Sequence, residues 1–595
     1  MKSTKNRLFS SARRSLAALC LICCAGLVLP TGDVAPLPIP EVQVSSLASA
    51  VLDELRYDFP HTERASLFAG RNVMLIVPHE DDEICLFGGL FEEFVNAGST
   101  LRVVFVTNGD AEGGDSGSVR IREAINAMAV AGIPEENVIF LGYGDQWRPK
   151  SSHIYHAGGD EPMTSYGGFT ETYGTEEHPP YREGLPYTRN NLRNDLRSLL
   201  LQYRPDTIFC IDFDGHRDHR AVSLFFEEIM GELLKTDADY LPTVFKGFGY
   251  STGWYAEMDF YAENIRSTRN PTAASYMEET NYYNWADRVR FPLAAEAMGR
   301  LKASTSVYQM LYAHASQEAT TRSGGILSGD RVFWLRDTAS LLYRAALSAS
   351  SGNAAVLNDF KIIDTADLTV ADVTFSGHVW TPDADDAEKT VSVTLPAPAS
   401  LSELRLYDNP SLTANVLDAE IVFSDGSRLS TGPLEKNGAA TSIRFEEKAG
   451  ITGFTLRLGA TEGEGAGLAE LEAYTQAPGH GMRYIKLKNA SDDFVYDYWI
   501  DPSGSERFSL YALGVEAPED LAEAYTLTVE GDSPCSAAFE GGEIAVLCPA
   551  GRSLTLTIRS KADPSVADTV RISNPSSARR MLVKLMQHYE HAAGI

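Results

Sequence analysis

From residue 73 onward, short apolar runs of strand length alternate with amphipathic helical stretches, and this alternation restricts the possible folds more than any other feature of the chain. Residues 73–77, 101–106, 137–141 and 207–213 read as buried strands. Residues 86–97, 119–131 and 188–203 read as helices, the last with Leu192, Leu196, Leu199, Leu200 and Tyr203 on one stripe. Strands linked by crossover helices predict an α/β unit with a Rossmann-like, doubly wound, mostly parallel sheet. Its ligand site should lie beyond the carboxyl ends of the strands.

The connection 145–187 is too long for an ordinary loop and holds Trp147, Tyr155, Tyr166, Phe169, Tyr173 and Tyr181, so it reads as a lid or binding surface. Residues 291–317 and 330–346 are expected to be helices that close this unit. Beyond residue 367 the pattern changes to strands separated by turns: Val391, Val393 and Leu395, then Leu404 and Leu406, then Ile421 and Phe423 before Ser424-Asp425-Gly426. That texture predicts a β-sandwich, followed by a second β-rich domain over 483–573 and a short helix over 578–592. The expected division is a signal peptide at 1–35, a linker and helix at 36–69, the α/β domain at 70–363, a β-sandwich at 364–478, a second β-sandwich-type domain at 479–574 and a terminal helix at 575–595.

Of 595 residues, 44% are hydrophobic and 22% charged, which excludes a disordered chain or a fibrous rod. Lys and Arg number 51 against 81 for Asp and Glu, a net charge of -30 that would repel nucleic acid and anionic lipid. The basic residues lean toward the start: Lys2, Lys5, Arg7, Arg13 and Arg14 precede an apolar run at 16–29 that is short for a membrane span. This is the pattern of a secretory leader, with an uncleaved anchor as the alternative. The mature chain is then expected to be extracellular, periplasmic or cell-surface, without a membrane span. Outside the leader, Cys85 and Cys210 read as core thiols, whereas Cys535 and Cys548 flank a hairpin and can pair in an oxidising compartment.

Directly after the first strand stands His79-Glu80-Asp81-Asp82-Glu83, one imidazole and four carboxylates in a single turn. Such crowding is costly unless a cation holds it together. A second cluster, His216-Arg217-Asp218-His219, follows another strand, and a doubly wound sheet can bring both turns to one crevice. Imidazole and carboxylate ligands that leave an open position suit catalytic Zn²⁺, with water as the nucleophile. His153, His156 and His178 lie in the long connection and read as surface histidines, with further metal or substrate contacts as the alternative.

These residues resemble the PIG-L or LmbE-like zinc N-deacetylases, whose motifs are (A/P)HPDDE and HPDH. Thr107-Asn108-Gly109 is similar to the family's TNG turn, and Arg120-x-x-Glu123 with Ala131-Gly132 to its RxxE…LG helix. His314-x-Ser316-Gln317 is similar to a late motif, so the resemblance covers about residues 70–350. It implies that His79, Asp82 and His219 bind zinc, with iron left open, and that Asp81 is the general base toward a metal-activated water. In that frame His216 is expected to stabilise the oxyanion when protonated, with Asp218 orienting its ring and favouring its charge. Arg120 and Asp145 are expected to hold sugar hydroxyls or a linking group. Glu80 and Arg217 stand where the family has Pro, and Asp214 where some relatives have Tyr. Glu80 would bias the pocket toward a cationic or neutral substrate.

The segment from Gly467 to Tyr474 resembles the closing strand of discoidin-type, galactose-binding-like domains, which implies a module able to present a cell-surface glycan. The expected activity is removal of acetyl from an N-acetylated amino sugar, of N-acetylglucosamine type, within a glycoconjugate. The alternatives are a different amide or ester as substrate, or a cell-surface glycan-binding protein built on an inactive deacetylase-like scaffold.

Overall fold

The computed structural model describes residues 65–146, 153–250, 262–269, 283–364, 368, 378–411, 413–436, 438–476, 481–593 and 595. The expected leader, most of the expected linker and Trp147 lie outside these residues. The first layer is a seven-stranded sheet built from β1 (Asn72–Val77), β2 (Thr100–Thr107), β3 (Val138–Tyr143), β4 (Thr207–Ile211), β5 (Thr243–Gly247), β6 (Val289–Pro292) and β7 (Asp330–Arg336). Its order is β3-β2-β1-β4-β5-β7-β6, with β1 to β5 parallel and the last two strands antiparallel. The parallel strands are buried on nearly every residue because helices cover both faces, which is why they read as unbroken apolar runs.

Helices α1 (Asp82–Phe87), α2 (Phe91–Asn96), α3 (Gly114–Val130), α4 (Arg189–Tyr203) and α5 (Arg217–Thr236) make the crossovers. The expected helix over 86–97 is two short helices broken at Gly88-Gly89, where a Cβ on Gly89 would stand 2.9 Å from Ala297. Strand order runs one way from β1 through β2 to β3 and the other way through β4 and β5. The direction of winding therefore reverses between β1 and β4, and the turns that leave these two neighbours face one crevice.

Two expected helices are corrected. Within 291–317 only α6 (Ser306–Ala313) is α-helical, and the stretch begins in β6. Residues 330–346 open with β7, whose side chains are buried on consecutive positions between covered faces. A strand buried on both sides loses the period-two signal, and length alone then favours a helix.

The sandwich takes in chain ahead of the expected boundary at 364. Strand β8 (Ala346–Ala349) pairs with the long strand β9 (Thr390–Asp408), and Leu342, Val356 and Leu357 join its core. β9 also pairs with the strands Ala440–Leu458 and Leu468–Tyr474. The second β unit sets one four-stranded antiparallel sheet beside another four-stranded sheet, around Leu487, Ile544, Leu556 and Ile572. Helix α7 (Ser577–Ala592) closes the chain and packs Val583 with Leu301 and Trp499. No helix among the described residues is long and apolar enough to cross a membrane.

Candidate metal centre

β1 ends at Val77 and β4 at Ile211, and each turn that follows feeds the first residue of a helix. The first turn delivers His79, Asp81 and Asp82, and the second delivers His216, Asp218 and His219. All are buried, and His79, Asp82, His216, Asp218 and His219 meet. Asp82 Oδ2 lies 3.0 Å from His79 Nδ1 and 3.1 Å from His219 Nε2. The His216 ring lies 4.7 Å from that of His79 and 4.9 Å from that of His219, centroid to centroid. The donor atoms of His79, His216 and His219 fall within 4.8 Å of one another, as do those of His79, Asp145 and Asp218.

The electrostatics follow from burial and from the neighbours. Burial opposes a proton on His79, yet the carboxylates of Asp218 and Asp82 outweigh it and raise its pKa well above the ordinary imidazole value. Burial likewise opposes charge on His219, and Asp214 and Asp82 push it up to about 9. Burial would raise Asp82, but His219 and His79 hold it well below the carboxylate range. Here the carboxylates are balanced by protons on two imidazoles. A divalent cation among the same atoms would balance them through lone pairs. Two buried atoms support that fit: Asp82 Oδ1 has no hydrogen-bond partner, and His219 Nε2, though close to Asp82, makes no hydrogen bond of acceptable geometry. Two imidazoles and a carboxylate make a donor set able to hold a divalent metal ion.

Asp81 occupies a left-handed backbone conformation, φ 131°, rare for a non-glycine residue. Its N–H donates to Glu83 Oε2 at 2.7 Å, and Glu83 Oε1 meets His314 Nε2 at 2.8 Å. Its carboxylate pairs with Arg322 and lies 3.5 Å from Arg120. Arg120 also donates to the carbonyls of Glu80, at 2.8 Å, and Gly109, at 3.2 Å, so it braces the turn as well as facing the crevice. Asp145 Oδ2 reaches to 3.8 Å from His79 Nε2, while its N–H donates to Asp110. Glu80 is buried beside Arg120, and burial pushes its carboxyl up to about 8. It therefore adds less negative charge to the crevice near neutral pH than its sequence position suggests.

Asp218 meets the His216 ring through its backbone and turns its carboxylate elsewhere. Its Oδ2 faces His79 Nε2 and the Gln146 N–H, each at 3.1 Å, and its Oδ1 faces His153 Nε2 at 2.6 Å. His216 Nδ1 instead accepts the Asp218 backbone N–H at 3.2 Å, which leaves Nε2 to carry the proton. Burial, reinforced by His79 and His219, lowers His216 well below the ordinary imidazole value, against the pull of the Asp218 and Asp82 charges.

Four further residues contribute; the sequence named Asp214, His153 and His314 without these roles, and it missed Arg322. Asp214 lies 2.9 Å from His219 Nδ1 and accepts the Gly249 and Tyr250 N–H groups. His153 is buried, unlike the exposed His156. His314 and Arg322 arrive from residues far along the chain. For Arg322 no local signal was available. The connection around His153 also holds a small packed set of its own, with Phe169 stacked on Tyr173 at 4.1 Å and Tyr155 against Phe225.

Comparison with known proteins bears on this segment. Residues 74–230 match the family model described as PIG-L: GlcNAc-PI de-N-acetylase, and residues 342–474 match a domain of unknown function, DUF7402. No curated protein matches the chain. Among solved structures, N,N'-diacetylchitobiose deacetylase from Pyrococcus horikoshii aligns at 18% identity over 37% of this chain and 73% of its own, with a TM-score of 0.22. The zinc-inhibited form of teicoplanin deacetylase aligns at 12% identity over 44% of this chain and 98% of its own, TM-score 0.27. A family 32 CBM from Clostridium perfringens, in complex with galactose, aligns at 16% identity over 22% of this chain and 92% of its own, TM-score 0.17. Residues 74–230, the span that carries every site residue assigned from sequence, are thus a PIG-L-like unit.

Proposed function

We propose that the protein is an exported, zinc-dependent hydrolase that removes acetyl from an N-acetylated amino sugar, with the β-sandwich holding the surrounding glycan. The observation that carries this reading is the meeting of His79, Asp82 and His219 around one point, with His216 beside them. The family match over the same residues and the basic, apolar leader support it.

Bound to His79, Asp82 and His219, zinc would supply a Lewis acid for the amide oxygen and lower the pKa of water. Asp81 takes the proton from the attacking water and passes it to the departing amine. Its carboxylate is held for this by Arg322 and Arg120, and its backbone by Glu83. His216 Nε2–H donates to the oxygen on which negative charge develops, its ring fixed through Nδ1. Asp214 fixes the His219 ring in the same way from behind. Asp145, 3.8 Å from His79 Nε2, is the acidic group offered to a sugar hydroxyl.

Acetate release from a panel of N-acetylated sugars and glycans, with metal analysis of the wild type and of His219→Ala, tests the proposal. The expected result is about one bound zinc per chain and release that a chelator abolishes, with both lost in the variant. A wild type that holds no metal, and whose activity ignores chelator, rejects it.

A further inference from the structure

His153 lies in the long connection after β3, sixty-five residues before Asp218, and is 3% exposed. Its Nδ1 accepts the Tyr155 N–H at 3.2 Å, so the proton of the neutral ring sits on Nε2 and is donated to Asp218 Oδ1 at 2.6 Å. The other oxygen of the same carboxylate meets His79 Nε2 at 3.1 Å. His79 meanwhile turns Nδ1, on the opposite edge of its ring, toward Asp82. Three buried side chains from three separate stretches of chain thus form a line: loop imidazole, carboxylate, ligand imidazole.

We propose that His153 is a positioning residue of the metal centre: through Asp218 it fixes the ring of His79, and so links docking of the long connection to occupation of the centre by a divalent cation. The inference rests on the reading of His79, Asp82 and His219 as the ligand set. A carboxylate behind a ligating imidazole sets its tautomer and orientation, and losing such support typically costs roughly 10–100-fold in metal affinity. Asp218 can do this only while its own plane is held, and His153 holds the oxygen that His79 leaves free. Coupling of this kind is reciprocal, so whatever the docked connection adds to metal affinity, the metal adds to docking.

The fold supplies an internal control. Gln146 Oε1 accepts the Ile154 N–H at 2.6 Å and so secures the same turn without its side chain touching Asp218. Gln146→Ala removes this one tie and leaves the bond from His153 to Asp218 to keep the connection docked. His153→Ala should release the carboxylate itself.

The test measures Zn²⁺ and Co²⁺ affinity of the full chain by competition with a chromophoric chelator, for the wild type, His153→Ala, His153→Gln and Gln146→Ala. It adds limited proteolysis of the wild type with and without metal. Affinity should fall roughly 10–100-fold in His153→Ala, recover largely in His153→Gln, which keeps an N–H donor, and stay near wild type in Gln146→Ala. Metal should slow cleavage within 153–187. Unchanged affinity in His153→Ala overturns the inference, as does an equal loss in Gln146→Ala, which would reduce His153 to a loop anchor. Should His153→Ala not fold, the proteolysis decides: cleavage indifferent to metal overturns the inference. A wild type that binds neither ion instead removes the metal-centre reading on which the inference stands.

Discussion

Asp81 shows how one residue can be over-determined. A non-glycine residue in the left-handed region costs about 1–3 kcal/mol and persists only where its surroundings insist on it. Here Glu83 accepts its N–H, and the Arg322 and Arg120 guanidiniums face its carboxylate. If Asp81 moves the proton and does not ligate, Asp81→Asn should keep the bound metal and lose roughly 10²–10⁴-fold in kcat, a split read by metal analysis beside initial rates. Gly109 belongs to the same assembly. It sits at φ +58°, and a Cβ there would stand 2.4 Å from Arg120 Cζ. Gly109→Ala should therefore cost about 1 kcal/mol in urea unfolding and also lower kcat, because Arg120 must withdraw from Asp81. Thermal and kinetic measurements on this one variant separate the two effects. At this scale the sequence was legible where chemistry is local: His79 to Glu83 and His216 to His219 are contiguous and directly follow strands. His314 was marked only as part of a late motif, without its partner, and Arg322 was illegible, because they lie 231 and 241 residues from the groups they hold.

At the scale of elements, the segment His314 to Gln317 acts as a clasp. Gln317 Nε2 donates to His314 Nδ1 at 3.0 Å, which presents His314 Nε2–H to Glu83. Ser316 donates through its N–H and its hydroxyl to Glu123 of α3, at 2.8 Å and 2.6 Å. The clasp thereby joins the end of α6, helix α3 and the start of α1. His314→Ala would leave Glu83 Oε1 buried without its hydrogen-bond donor, a change that typically costs about 1–3 kcal/mol and should appear as a lowered urea midpoint. The far hairpin makes a second case. Ser536 pairs with Leu547, so Cys535 and Cys548 stand opposite each other, their Sγ atoms 3.8 Å apart and unbonded. A small rotation of each side chain closes that gap. Exposure of the full chain to oxidised glutathione should link the two within one peptide pair and resist urea better than the reduced form, as mass spectrometry and unfolding would show. Elements were readable from sequence wherever one face met water, as in the alternating Val391, Val393 and Leu395 of β9. β7 escaped because both its faces are covered, and the pairing with β5 that makes it a strand is a tertiary fact.

The whole molecule is tied together more tightly than its three textures suggest. One buried apolar cluster runs from Phe68 and Leu75 of the α/β unit to Tyr407 and Ala469 of the sandwich and to Phe494 and Tyr496 of the second β unit. Polar groups cross the same seams. Tyr343 donates to Glu472 at 2.9 Å, and Arg405 pairs with Asp337. Arg300 meets Asp497 at 3.1 Å, and Tyr496 donates to the Gly329 carbonyl at 2.6 Å. Inter-domain interfaces that are large and apolar do not permit independent motion, and charges buried in them are costly to leave without partners. A chain ended at residue 363 would strip the core side chains of β8 and of Leu342 to Leu357 of their cover and leave Arg300 and Asp337 without the groups that balance them. That truncation should be insoluble or melt well below the full chain. A chain ended at 476 keeps the sandwich but loses Asp497 and Tyr496, so it should fall in between. For the intact protein the same contacts predict a single calorimetric transition, its van't Hoff and calorimetric enthalpies equal. Well-separated transitions would mean that the shared core does not couple the units, and that the metal crevice can be studied on the α/β unit alone.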